Sequence, residues 1–229
     1  MGEAGTRMHR NEDRWGESGE ETERLVYFSD AVFAIAITLL VIDIRVPEMQ
    51  AHTPVEEQLR QLLALWPKVL SYTISFLVVG SFWRAHHRIF GYIKRYDRRL
   101  IGLNLLLLLC VAFVPVPTAV LGDTGGELVP VAFYAGCIAL TALAQLGVWW
   151  YASGKHRLVA PDLERLIIAY NTWRLVCVVL IFVLSIAIAF WSPGIAMASW
   201  ALIVLVRSIV TRIFHRRARP TGQASAARR

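Results

Sequence analysis

Six apolar runs divide this chain, each close to the twenty or so residues a helix needs to cross the hydrocarbon core of a bilayer. They fall at about residues 25–45, 66–86, 100–121, 128–151, 169–191 and 194–214. Lipid offers no hydrogen bonds to an exposed backbone, and a helix satisfies its own within one segment. The pattern therefore predicts an all-α, polytopic membrane protein with six transmembrane helices. The chain is 56% hydrophobic with a mean hydropathy of +0.49. Its charged fraction is 18%, bunched between the runs, where a soluble domain would carry about 25%. The expected organisation is a polar cytoplasmic N-terminal segment at 1–23, a six-helix membrane domain at 24–214 and a basic, disordered tail at 215–229. Residues 1–24 are polar, and no small-residue cleavage site ends the first run. The first helix is thus read as retained, not as a signal peptide.

Lysine and arginine set the expected orientation. Twenty of the 24 lie in the N-terminal segment, in the loops after the second and fourth runs, or at the C-terminal end. Arg45, Arg60 and Lys68 lie on the other side, and Arg174 lies within the fifth run. Both termini are expected to be cytoplasmic. The net charge of +7 does not point to nucleic acid, because the basic residues are juxtamembrane and anionic lipid accounts for them.

Catalytic signatures are missing from the sequence: it has no Gly-rich phosphate loop, HExxH or GxSxG. Cys110, Cys137 and Cys177 all fall within predicted spans, without CxxC spacing or a histidine at ligand spacing, and read as packing residues. No enzyme activity, cofactor or resident metal is expected. His86 and His87 form the sole histidine pair. Adjacent helical residues point about 100° apart, so the pair is a poor metal site. Trp83, Arg84 and Arg88 beside it suggest an interfacial belt. The other reading is that one of the two histidines reaches Asp30.

The first run, RLVYFSDAVFAIAITLLVIDI, carries Ser29, Asp30, Thr38 and Asp43 where an anchor would carry leucine. Ionisable residues inside a span are costly and mark function. Ala31, Ile35, Leu39 and Ile42 make a slowly drifting helical stripe.

Arg24, Phe28-Ser29-Asp30, Ala34-Ile35 and Thr38-Leu39-Leu40 resemble the RxxxFSD signature, with its continuation, of bacterial relatives of the lysosomal and endosomal potassium channel. His86-His87 after Trp83, Asn104, and Pro115-Val116-Pro117-Thr118 also look like that family. Animal members carry two six-helix repeats, whereas bacterial members carry one and assemble as homotetramers. This chain has one FSD. The resemblance implies a multi-pass protein of the bacterial cell membrane whose first helices, from four subunits, line a central pore for potassium and other monovalent cations.

Residue by residue, the resemblance implies that Ile35 stands at the pore isoleucine and that Leu39 and Ile42 continue the lining. Rings of branched aliphatic side chains exclude water and gate by dewetting. Thr38 would offer an oxygen beside the constriction. A back-bond from its hydroxyl to the carbonyl of residue 34 is the competing reading, and ordinary packing is the competing reading for the three aliphatic residues. The resemblance further implies that Arg24, Phe28, Ser29 and Asp30, with the two histidines, form a cytoplasmic network that ties the pore helix to its neighbours and fixes its rotation. The alternative for Ser29 and Asp30 is helix capping, although the preceding EETERLVY already looks helical.

Two other classes remain in view. A proton- or cation-coupled secondary transporter would use Asp30 as its coupling site, but such proteins show Gly/Pro-broken helices at matching positions of both halves, and nothing in the sixth run matches Pro115 and Pro117. A nonconducting membrane scaffold would show no flux at all.

Overall fold

The computed structural model describes residues 19–46 and 54–203, and these are helical with short connections. The principal helices are α1 (Gly19–Leu39), α2 (Val55–Leu63), α3 (Trp66–Tyr92), α4 (Arg98–Phe113), α5 (Pro115–Thr124), α6 (Leu128–Ser153), α7 (Arg165–Ala189) and α8 (Pro193–Ser199). The expected N-terminal segment before Gly19, the C-terminal tail and all of the sixth run beyond Ile203 lie outside the described residues.

Among the described residues, four helical stretches are long and apolar enough to cross a membrane: Val55–Tyr92, Arg98–Thr124, Leu128–His156 and Arg165–Ala189; α1, expected as the first span, is not one of them. The fold class is therefore all-α with several membrane-spanning helices. Local chemistry sets the ends. Asp97 caps α4 by accepting from the Leu100 amide at 2.8 Å, meeting one of the orphan donors of a first turn. Pro67 and Pro193 stand in first turns, where a missing N–H costs nothing. The third run is written as two helices, but Val114 between them has helical φ and ψ, so the span continues through Pro115. Gly125, at φ 64°, ends α5 in the left-handed conformation that glycine adopts freely.

Boundaries differ from the sequence expectation at three places. The first run was expected to be helical to residue 45, but α1 stops at Leu39. Beyond it, Ile42 and Ile44 bond to the carbonyls three residues back. Val41, Ile42 and Ile44 are weak helix formers, and Asp43 would put a carboxylate at the negative end of the helix dipole. Ile42 therefore sits in a turn, not on the helix. In contrast, α3 runs to Tyr92 and α7 begins at Arg165. The arginines expected in loops there are carried on helical turns, where long side chains reach out to the polar interface.

α6 is the hub. It packs against α7 most extensively, and also against α4 and α5. α1 lies on the rim, against α3 and α4. Buried polar bonds join the helices, as expected where lipid leaves no alternative partner. Tyr134, Ser75 and Thr118 are linked at 3.1 and 2.8 Å, and Thr118 Oγ1 lies 2.8 Å from the Val114 carbonyl. One ordering of three hydroxyl protons, ending on that carbonyl, satisfies the whole row. Gln145 Nε2 donates to the Phe82 carbonyl at 3.0 Å, and Trp149 Nε1 to Thr172 Oγ1 at 3.1 Å. At the other end of α3, Lys68 pairs with Asp123 at 2.7 Å. There Gly122 lets α5 approach closely, since a Cβ would lie 2.7 Å from Ser71 Oγ and 3.2 Å from Lys68 Cα.

Candidate pore helix and its anchoring network

α1 has two contrasting faces. Phe33, Ala36 and Leu40 are buried with Ser29 against the rest of the subunit. Phe28, Ala31, Ile35, Thr38 and Leu39 are exposed along the other side, and Ile42 continues the row in the turn. Ile35 is 58% exposed, whereas Ile37 is half-buried and packs on the core. At 100° per residue they point about 160° apart the short way round. An exposed apolar row of this kind marks a contact with something nonaqueous, lipid or another protein surface.

Thr38 Oγ1 donates to the Ile35 carbonyl at 2.8 Å. The back-bond thus forms, one residue later than residue 34, and ties up the hydroxyl's proton. The oxygen lone pairs stay free to meet a cation.

The inward face of α1 carries its polar anchoring. Asn104 Nδ2 donates to Ser29 Oγ at 2.9 Å, and Ser29 Oγ donates to the Leu25 carbonyl at 2.8 Å. The Asn104 oxygen is then the acceptor for His86 Nε2, at 2.9 Å. The direction of every proton follows from the two unlike ends of the amide: histidine to asparagine, asparagine to serine, serine to backbone. This row crosses from α3 through α4 to α1, and His86, Asn104 and Ser29 are all buried. His86 also stacks on Phe90, ring centroids 4.2 Å apart, and tilts against Phe33 at 5.5 Å.

Asp30 has a different partner from the two weighed in the sequence. Trp83 Nε1 donates to its Oδ1 at 2.9 Å, while His86 is committed to Asn104. His87 is exposed, tilted against Trp83 at 6.0 Å. With Glu23, Tyr27 and Lys94 it lines a surface cavity of about 400 Å³. Arg24 is exposed on the outer row of α1, and neither it nor Phe28 takes part in the hydrogen-bonded row described above. Ser29 and Asp30 lie in mid-helix, so capping does not apply to them. Trp83 and Asn104 are the partners sequence reasoning did not assign. Asn104 had a signal, since it is the one polar residue in LNLLLLL. Trp83 had none, because nothing local joins it to a residue 53 positions earlier.

At the basic end, Tyr151 donates to Asp97 Oδ2, Arg157 lies over the Tyr151 ring at 4.8 Å, and Ile93 pairs with Val159 in an isolated antiparallel bridge. Cys110, Cys137 and Cys177 are free and half-buried. Among the described residues, no three His, Cys, Asp or Glu converge on a metal-sized site.

Residues 24–115, which contain α1 from Arg24 onward, the histidine pair and Asn104, match the family described as the endosomal/lysosomal potassium channel TMEM175. A potassium channel of Streptomyces collinus is 37% identical over 189 residues, 81% of this chain and 90% of that one. The chain belongs to this family. A potassium channel of Chamaesiphon minutus is 41% identical over 150 residues, 63% of this chain and 72% of the other. The crystal structure of a lysosomal potassium-selective channel homolog from the same organism superposes with a TM-score of 0.69 at 31% identity, covering 85% of this chain and 98% of that one.

Proposed function

We propose that the protein is a potassium-selective cation channel of a bacterial membrane, formed by four copies that surround a pore lined by α1. The supporting observation is the division of labour on that helix. Ser29 and Asp30 are engaged toward the rest of the chain, while a largely apolar row from Phe28 to Leu39 faces away from it. Membership of a family whose named bacterial relatives are potassium channels supplies the ion.

In this reading Ile35 forms the narrowest ring and Leu39 the next. Ile42, in the turn past the helix, lines the mouth. Closely set branched side chains hold out water, and a cation crosses only when the ring wets. Thr38 presents its lone pairs beside the ring while its proton stays on the Ile35 carbonyl. Such a constriction discriminates less strictly than a carbonyl filter, so other monovalent cations leak. Six spans, with both chain ends cytoplasmic, accord with the lysine and arginine asymmetry. Ser29, Asp30 and His86 hold the helix through Asn104 and Trp83, while Arg24, Phe28 and His87 stay exposed beside them.

The test is recording from the purified full chain in planar bilayers with potassium on one side and sodium on the other. Unitary currents whose reversal potential favours potassium are expected. Saturable, proton-dependent flux without unitary events would make it a transporter, and absence of flux would make it a scaffold; either result overturns the proposal.

A further inference from the structure

α4 and α6 pack antiparallel along one seam, and two contacts fix its register. Tyr151 donates to Asp97 at the basic end, and toward the other end the rings of Phe113 and Phe133 meet edge to face at 6.4 Å. Three residues back along α4 from Phe113, and four on along α6 from Phe133, stand Cys110 and Cys137. Three and four residues are the spacings that return to one face of a helix, so the two cysteines form the next rung of the same seam. Their thiols lie within electrostatic reach of each other, and both side chains are half-buried. Phe113 and Phe133, the rung beside them, are exposed, so the seam opens outward from the subunit. Cys177 lies elsewhere, on α7. That helix meets α6 through Trp149 and Thr172 at 3.1 Å, and Trp149 points about 120° around α6 from Cys137.

Depth and the lack of further ligands decide what two facing thiols suit. Cys110 stands midway along the stretch Arg98–Thr124, at a level of the membrane where a net charge is costly. Hard cations need several oxygen ligands and structural zinc needs four ligands, but among the described residues no third His, Cys, Asp or Glu joins the pair. Two sulfurs suffice for a soft d10 ion such as mercury(II), which favours thiolates and accepts linear two-coordination. Such an ion bridges sulfurs about 4.6 Å apart, twice a metal–thiolate bond of ~2.3 Å. Charge balances as well. Mercuric chloride is a neutral molecule that enters lipid; its two Hg–Cl bonds break as two Hg–S bonds form, and the two thiol protons leave with chloride as HCl. Nothing is oxidised or reduced, and the site is uncharged before and after.

We propose that Cys110 and Cys137 form a dithiol site within the membrane domain that binds soft, thiophilic metal ions, holding a divalent one as a neutral bis-thiolate that ties α4 to α6. The second sulfur meets a metal already held by the first at a high effective concentration. The pair therefore keeps the ion against free monothiols where a single cysteine does not. The proposal rests on the packing within one subunit and not on the pore.

Metal retention tests it in the full chain, held in phosphatidylcholine discs and carrying Cys177→Ala so that only the pair remains. Two further variants add Cys110→Ala or Cys137→Ala. Each protein is treated with mercuric chloride, washed with glutathione and assayed for bound metal. The pair should retain one mercury per chain, and each single-cysteine variant several-fold less. Equal retention by a single cysteine, two mercuries per chain on the pair, or none at all would overturn the proposal. Should the variants fail to fold, the unsubstituted chain gives a second readout. After mercury treatment, alkylation of the remaining thiols and digestion, the peptides bearing Cys110 and Cys137 should be recovered joined through one metal atom. Separate peptides, alkylated or each with its own mercury, overturn the proposal.

Discussion

Ile35 and Ile37 have the same side chain two residues apart, yet meet opposite surroundings, one exposed and one packed on the core. Ile35→Asn should wet the constriction and add amide ligands. Single-channel conductance should rise and the preference for potassium over sodium should fall, measured by reversal potentials. Ile37→Asn buries an amide instead and should cost about 1–3 kcal/mol of stability with selectivity unchanged. A selectivity shift at Ile37 and none at Ile35 would mean that the helix presents its other face to the pore. Asn104→Leu removes the centre of the His86–Asn104–Ser29 row. It should lower the denaturation midpoint by the equivalent of about 1–2 kcal/mol, the scale of interhelical hydrogen bonds in membranes, more than Trp83→Phe does at the rim. The sequence made part of this row legible, because a serine, a histidine and an asparagine inside apolar runs each demand a partner. It did not say who pairs with whom. Asp30 and Trp83 are joined by the antiparallel crossing of α1 and α3, which no local pattern encodes.

At the scale of the element, apolar runs reveal that a helix exists better than where it ends. α3 outran its expected end because Arg84 and Arg88 look like loop residues but ride on helical turns. α1 fell short because the apolar run continues through Val41–Ile44, where β-branched residues and Asp43 hold a helix weakly. α2 escaped notice, since nine amphipathic residues next to a long span read as its flank. Close approach is also invisible in sequence. Gly122 reads as any glycine in a span, yet it is where α5 meets α3. Gly122→Ala would place a Cβ 2.7 Å from Ser71 Oγ, which a change of serine rotamer relieves. Gly122→Val adds two methyl groups against the Lys68 backbone and should force the helices apart. Overpacking of this kind costs about 1–3 kcal/mol, so melting of the purified protein should show a small drop for alanine and a clear one for valine. Equal melting for both would mean that the contact is loose.

Viewed whole, the subunit is a helical bundle centred on α6 with α1 at its rim, and a rim helix can reach a shared axis only if copies assemble around it. Native mass measurement in lipid discs should therefore give four chains per particle, and a stable monomer that still conducts would remove the pore proposal. The all-α class and the presence of several membrane-spanning helices were legible in the sequence because they depend on composition and length. Placement of α1 at the rim was not, since it emerges from which helices pack on which. The row from His86 to Ser29 has a mechanical consequence for any such assembly. Its Asn104–Ser29 bond, together with Trp83–Asp30, keys α1 to α4 and α3 as a spline keys a shaft. Turning α1 by one residue, about 100°, would shear both and leave the buried Asn104 amide without its acceptor. A pore built from four such helices can widen or narrow by tilting whole subunits, with the key intact, but not by spinning the lining helix in place.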